Sequence, residues 1–441
     1  MKKVLLFIFL SGFLFVLAGD IFAQTVNISA ELRPRFEYRH GYKTLFPDDT
    51  KPANFISQRT RLNGFFANKN FKAYVSLQDV RVWGDVNQLN TRDVNGFSVH
   101  EAWGQIFFGD VVSLKIGRQE IIYDDHRIFG SVNWAQQARS HDAAILGLKF
   151  AGKHKIDVGV AYNAMGESLY KNDYTNTKNY KALQLIHYHV DFGKSGISIL
   201  FLNNGMPYFA DEDTSKIDEK IAYSQTIGGR YSFKEEKVKF NVAFYYQTGK
   251  KRFRFNNDLS AIYFGGDVSF HLIENFSFGI GGEYLSGTPT RDQGDTSKVD
   301  QSFTPFYGTN HKFNGWMDYF YVGIGHGNVG LIDIYIPLKY TYEKLTFALI
   351  PHYFMSAATV SIKNKGIWED LSSGLGTEVD FAVSYAAAKN VTIAGGYSQM
   401  FATETMRAVK QPAAYNGDNY KNSNGWGWVM VTFKPTFFSK D

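Results

Sequence analysis

From Val26 to Arg39 the chain reads VNISAELRPRFEYR, with apolar and polar positions alternating throughout. Val26, Ile28, Ala30, Leu32, Pro34, Phe36 and Tyr38 share one face, and Asn27, Ser29, Glu31, Arg33, Arg35, Glu37 and Arg39 share the other. A period of two is a β-strand signature, but strands in ordinary globular domains run only about 5–6 residues. Alternation of this length calls for a sheet with one tall apolar face and one tall wetted face. The pattern returns in KVKFNVAFYYQTG (237–249), GLIDIYIPLKYTYE (330–343) and EVDFAVSYAAA (378–388). Followed along the chain, it predicts eighteen strands, near 26–39, 54–67, 70–83, 97–108, 111–119, 138–150, 154–166, 179–192, 195–206, 220–234, 236–249, 258–272, 274–287, 327–343, 344–359, 374–388, 389–402 and 421–435.

The connections decide the architecture. After even-numbered strands they are tight, as in ANKN (67–70), GDV (109–111), GKSG (193–196), KEEK (234–237) and YEK (342–344). After odd-numbered strands they are mostly longer, up to the stretch from Ser286 to Gly327, and rich in Asn, Asp, Gly, Thr and Lys. Short turns at one end, an even strand number and alternating faces predict an all-β fold. The expected form is a transmembrane antiparallel up-and-down β-barrel, with short periplasmic turns and long extracellular loops, in the outer membrane of a Gram-negative bacterium. A β-propeller would show a repeat of about 40–50 residues, and none is present. A large two-sheet sandwich is not separated from the barrel by pattern alone.

Pro34 and Pro337 each delete a ladder hydrogen bond inside a predicted strand, which predicts local bulges there. The segment NHKFNGWMDYFYVGIG (310–325) also alternates, but a nineteenth strand would break the turn parity, so it is assigned to the longest external loop. Trp83, Trp103, Trp134, Trp426 and Trp428 are expected near the membrane interfaces.

The first residues, MKKVLLFIFLSGFLFVLAGDIFAQ, have two Lys, a short apolar run and small residues before Gln24. This is the form of a signal peptide over 1–23, and the run is shorter than the roughly 20 residues of a membrane helix. No linker or composition shift divides 24–441, which is expected to form a single barrel domain. The 441 residues include no Cys, which removes disulfides and thiolate chemistry, and include 39 Phe and 27 Tyr, which suit strands with an aromatic surface. A net charge of +5, dispersed along the chain, excludes a nucleic-acid partner.

Charge then changes the picture. Ten of the fifteen Arg lie between Arg33 and Arg139. By alternation Arg33, Arg35, Arg39, Arg59 and Arg61 fall on the polar face, and facing lipid at mid-membrane would cost about 2–4 kcal/mol each. A lumen location follows. There they either attract carboxylate solutes or brace the wall against Glu31, Glu37, Asp79, Asp124, Asp125 and Asp142. Alternation fails at Gln78–Asp79 and across Gly117–Glu120, so holding both Arg118 and Gln119 in the lumen requires a bulge or the strand's end.

Asp124, Asp125 and His126 with His141 have the composition of an acid/base set, but no G-x-S-x-G elbow accompanies them, and no enzyme is expected. His187 and His189 with Asp191 have metal-chelating spacing, which lumen-facing alternation explains equally, and no cofactor or metal is expected. The acidic stretches DEDTSKID (211–218) and TRDVNG (91–96) offer oxygen ligands for loose Ca²⁺ binding without matching an EF-hand loop.

QRTRLNGFFANKNFKAYVSLQDVRVWGD (58–85), LKIGRQEIIYDDHRIFGSVNWAQQARSHDAAIL (114–146) and YGTNHKFNGWMDYF (307–320) together resemble the alginate-export family of outer-membrane barrels. The resemblance spans nearly all of 24–441 and rests most on the IGRQ, Tyr, Asp, Arg, Gly, Trp, Arg and Asp pattern after Leu114. It implies a monomeric, lipid-embedded, eighteen-stranded pore for an anionic solute or uronate polysaccharide, working with periplasmic export partners. It also implies a constriction carrying Arg33, Arg59, Arg61, Arg81, Arg118, Arg127, Arg139 and Asp142. The competing expectation is a structural or adhesive surface barrel whose lumen is blocked by inward-folded loops.

Overall fold

The structure is a computed structural model that describes residues 24–89, 93, 96–209, 219–251, 257–321, 326–411 and 419–440. Residues 1–23, expected to be a signal peptide, and the acidic stretch 211–218 lie outside the described residues, as does most of 91–96.

The barrel strands in chain order are β1 (Thr25–His40), β2 (Ala53–Ala67), β3 (Phe71–Val82), β4 (Ser98–Phe108), β5 (Val112–Gln119), β6 (His141–Phe150), β7 (His154–Tyr162), β8 (Ala182–Phe192) and β9 (Ser195–Phe209). They continue as β10 (Glu219–Lys234), β11 (Val238–Lys250), β12 (Asp258–Ile273), β13 (Phe276–Leu285), β14 (Leu331–Tyr335 and Leu338–Tyr342), β15 (Leu345–Met355), β16 (Gly374–Ala388), β17 (Val391–Ala402) and β18 (Ser423–Phe433 and Thr436–Lys440). Each pairs antiparallel with its neighbours, and β18 returns to β1 through pairs such as Arg35↔Met430 and Ile28↔Phe438. Closure leaves no sheet edge, so every strand finds its backbone partners in the wall. The eighteen strands, their order and the side of the short turns are as the alternation predicts.

The apolar face of each strand turns outward. Leu62, Val75, Ile106, Ile116, Val160, Phe244, Phe264 and Val429 are exposed on it, as a lipid-facing band requires.

The two prolines do not produce the expected bulges. Pro34 stays in unbroken register with Gln58. At Pro337 the ladder is interrupted, but the register of β14 against β13 and β15 is the same on both sides. A missing N–H removes one bond without inserting a residue. The real irregularities fall elsewhere: at His100, an extra residue in β4 opposite Ser76 and Leu77, near Phe437 beside Pro435, and at single extra residues Leu272, Leu375 and Ala387.

Not all of the external loops stand clear of the barrel. L3 (120–140) and L7 (286–330) fold into it, and Phe129, Phe303, Met317 and Tyr319 pack against wall residues Phe354, Met400 and Trp426 in one buried cluster. L7 contains a short 3-10 turn at Asn310–Lys312 and no strand among the described residues of 310–325. L9 (403–422) carries helix α1 (Glu404–Lys410), capped by Thr403, whose hydroxyl accepts the Met406 N–H at 3.2 Å.

Candidate permeation site

Strand alternation places Glu31, Arg33, Arg35, Glu37 and Arg39 of β1 on the lumen side, and the register sets Arg33 across from Arg59 and Glu31 across from Arg61. Like charges opposite one another are unfavourable, so this basic arc needs acceptors. Glu31 takes Arg59, and Glu37 takes both Arg35 and Arg39 at 2.8 Å. L3 supplies the rest. Arg33 donates to Gln136 Oε1 at 3.0 Å, Arg35 to the Trp134 carbonyl at 2.7 Å, and Arg59 to Asn133 Oδ1 at 2.9 Å. Arg35 also lies 4.1 Å over the Trp134 ring.

A second arc on β13 to β16 has the opposite sign. Glu283, Asp333, Glu378 and Asp380 are almost fully buried, with His352 Nδ1 donating to Asp333 at 2.9 Å. L7 answers with donors. Asn314 Nδ2 donates to Glu283 at 2.8 Å, the Trp316 N–H to Asp380 at 3.1 Å, and the Met317 N–H to Glu378 at 2.8 Å. Gly315 sits at φ +80°, and a Cβ there would lie 2.7 Å from the Glu378 carboxyl, so glycine is required for this approach. Arg127 reaches across from L3 to Glu283 at 2.9 Å. Carbonyls of one loop thus dock on the basic arc, and amides of the other dock on the acidic arc.

The eight residues expected to line the constriction divide accordingly. Arg33 and Arg59 face the lumen but are buried under L3, and Arg127 is buried within L3 itself. Arg139 bonds the Gly308 carbonyl at 3.1 Å and ties L3 to L7. Arg61 faces the lumen, bonds Gln78 at 3.0 Å through Nε, and leaves a buried Nη2 without a hydrogen-bond partner.

Of the other three, Arg118 and Asp142 are corrections. Arg118 and Asp142 pair with each other at 2.9 Å on the outer face, both well exposed. No register shift occurs along β5, so alternation continues through Gly117 and only Gln119 turns inward. They occupy the extracellular ends of β5 and β6, where a lipid-side charge costs only about 0–1 kcal/mol. Arg81 shares the outward face of Leu77 by register and is tied to Asp79 at 2.6 Å and Asp93 at 2.5 Å, yet it also borders the cavity at the extracellular ends of β1 to β3.

Among the named tryptophans, Trp83 is exposed on the outer rim. Trp103 faces the lumen, and Trp134 packs inside the barrel 4.9 Å from Trp428 and 5.7 Å from Trp426. Their polar-face positions in β4 and β18 were readable from alternation, which takes precedence over the interface preference. His187 bonds Asp124 at 3.3 Å and stacks on Tyr123 at 4.0 Å, while His189 bonds Ser198 at 2.8 Å. His187 is thus engaged with L3 and His189 within the wall.

Space remains at the extracellular ends of β1 to β3. A cavity of about 440 Å³ is lined by Arg35, Arg39, Tyr42, Lys43, Trp134 and Tyr321, with Glu37 and Asp318 also on its wall. Arg39 lies 4.3 Å over Tyr42 and Lys43 lies 4.4 Å over Tyr321. Burial beside Asp318 pushes the Tyr42 phenol well up, so it stays protonated and donates to that carboxylate. Arg35 and Arg39 were legible as lumen residues, whereas Tyr42, Lys43 and the acidic arc were not singled out.

Lys410 of α1 donates to the Tyr319 carbonyl and so ties L9 to L7. Burial lowers its ammonium from 10.5 to about 7, and burial lowers His326 of L7 from 6.5 to about 4. Opened loops therefore bind more protons than packed loops from about 4 to 6.5 and again from about 7 to 10.5, and packing strengthens as pH rises through each window. Hydrogen exchange in L7 is expected to slow from pH 7 to 10, after correction for intrinsic exchange rates. Lys410→Met should flatten that upper step, and an unchanged step would exclude Lys410 as its source.

An eighteen-stranded outer-membrane barrel with two loops folded into its lumen is a transport-channel architecture. Residues 24–417 match the alginate-export family, and the chain belongs to it. Among solved structures the chain is similar to Acinetobacter baumannii OccAB4, with 12% identity, TM-score 0.61, and 94% of this chain and 99% of that one covered. It is also similar to Pseudomonas aeruginosa OccK1 (OpdK), with 8% identity, TM-score 0.58 and coverage of 93% and 99%. OpdK solved with vanillate matches at 9% identity, TM-score 0.57 and the same coverage. No curated protein matches the chain.

Proposed function

We propose that this barrel conducts small anionic solutes of the uronate class, which enter at the vestibule between β1 to β3 and the two inward loops. The cavity of about 440 Å³ carries the reading. Its cations Arg39 and Lys43 keep 35% and 49% of their side-chain surface open, and aromatic faces beneath them suit the apolar side of a sugar ring or an aromatic acid. A guanidinium binds carboxylate bidentately, and a pocket of this volume is within the usual small-ligand range. Vanillate, the ligand of OpdK, has the same pairing of carboxylate and ring. Beneath the loops, Arg61 offers the next unpaired donor. One chain closes its own barrel, so the channel is read as monomeric, with the short turns available to a periplasmic export partner.

Reversal potentials in a salt gradient test this. Arg39→Ala combined with Lys43→Ala should move selectivity toward cations, while Arg118→Ala on the outer wall should leave it unchanged. Equal potentials for the double variant and the parent would remove the vestibule from the permeation path.

The docking of L3 and L7 favours a second reading, a surface barrel with a closed lumen and no transport. Absence of any single-channel conductance from a folded, heat-modifiable barrel would select it.

A further inference from the structure

The irregularity in β4 has a chemical consequence. Successive residues of a strand normally point to opposite faces, but the extra residue at His100 lets His100 and Glu101 both turn to the lumen. Glu120, just past the end of β5, meets them there. His100 Nε2 lies 2.9 Å from Glu120 Oε1, and one ligand atom from each of the three residues falls within 4.8 Å of the others. From these contacts we propose that His100, Glu101 and Glu120 form a binding site for a zinc-type dication on the lumen wall.

The chemistry of the set is that of a metal centre. Zinc takes imidazole nitrogen and carboxylate oxygen at about 2.0–2.2 Å, which puts its ligand atoms roughly 3.2–3.6 Å apart, so the three groups need only small movements. The ligands are also oriented from behind. Glu101 Oε2 accepts the Trp103 indole N–H at 3.0 Å and the Glu120 N–H at 3.0 Å, and His100 is almost fully buried. Two cations lie close by without taking the carboxylates. Lys115 rests 4.0 Å over the Trp103 ring, and Arg61 bonds Gln78. Neither makes an ion pair among the described residues. Two carboxylates against these two cations leave the wall near neutral. A bound dication would leave it strongly positive beside Arg61, and so would raise preference for anions.

The whole barrel in detergent, freed of metal by a chelator, is titrated with Zn²⁺ in a calorimeter and with Co²⁺ in a spectrophotometer. One saturable site per chain is expected, with Co²⁺ bands of four- or five-coordinate geometry. His100→Gln and Glu120→Gln should each weaken Zn²⁺ at least about tenfold, and in bilayers only the parent should gain anion preference when Zn²⁺ is added. Absence of a one-to-one site in the parent overturns the proposal without any variant. So does equal affinity in both folded variants, which would place the metal on other histidines. The calorimetric result does not depend on conduction, so the site can fail while the channel reading stands, and the reverse.

Discussion

Arg59→Ala is expected to release L3 and raise single-channel conductance. The Arg59 side chain is fully buried and holds three partners together: Glu31 in the wall, and Asn133 and the Gln136 carbonyl in L3. The pair with Glu31 lies within the wall, where Glu31 keeps Arg33 and Lys434 at 3.8 Å. L3 loses two hydrogen bonds to a charged donor, about 1.5–3 kcal/mol each. With about 1.4 kcal/mol per factor of ten, a loss of about 3 kcal/mol at the low end raises the undocked population of L3 roughly a hundredfold. The barrel should persist, because its stability rests on the closed ladder and the lipid-facing band. Faster hydrogen exchange across Asn133–Gln136, with an unchanged β-spectrum, is the structural signature. An unchanged exchange rate would show that Gln136 and Trp134, which also bond Arg33 and Arg35, hold L3 without Arg59.

The contrast between what was and was not legible in the sequence follows from how far each signal reaches. Alternation is a property of neighbouring residues, so strand order, facing and the positions of Arg33, Arg35, Arg39, Arg59 and Arg61 are readable from the chain alone. What each arginine does in the lumen depends on partners about 100 positions away, such as Gln136 for Arg33, and no local pattern records that pairing. Arg118 shows the opposite error. The charge at Gly117–Glu120 suggested a bulge that would turn Arg118 inward, whereas the strand keeps its register and the pair with Asp142 makes an outer-rim position inexpensive. The bulge at His100, by contrast, has no proline or charge cluster to announce it. Glu378 and Asp380 stood on the polar face of EVDFAV all along. Their importance comes from L7, whose fold into the barrel is set by donors at Asn314, Trp316 and Met317.

Gly315→Val is expected to free L7 from the acidic arc more completely than any single side-chain deletion. The left-handed backbone at φ +80° already disfavours a β-branched residue, and the new Cβ would stand 2.7 Å from the Glu378 carboxyl. Two costs therefore add. Backbone strain is about 1–3 kcal/mol. The lost donors matter more, because Glu378 and Asp380 then lose the N–H groups of Met317 and Trp316, and each buried acceptor left unmatched costs about 1–3 kcal/mol, more when charged. Gly294 separates these terms. It lies in the same loop at φ +84° with nothing near its absent Cβ, so Gly294→Val carries the strain without the collision. Gly315→Val should speed exchange at Trp316 and Met317 and enlarge conductance, while Gly294→Val should do neither to a comparable degree. If the two variants behave alike, loop strain alone governs L7 and the acidic arc is not its latch. If Gly315→Val frees the amides but passes no more current, L3 by itself closes the lumen.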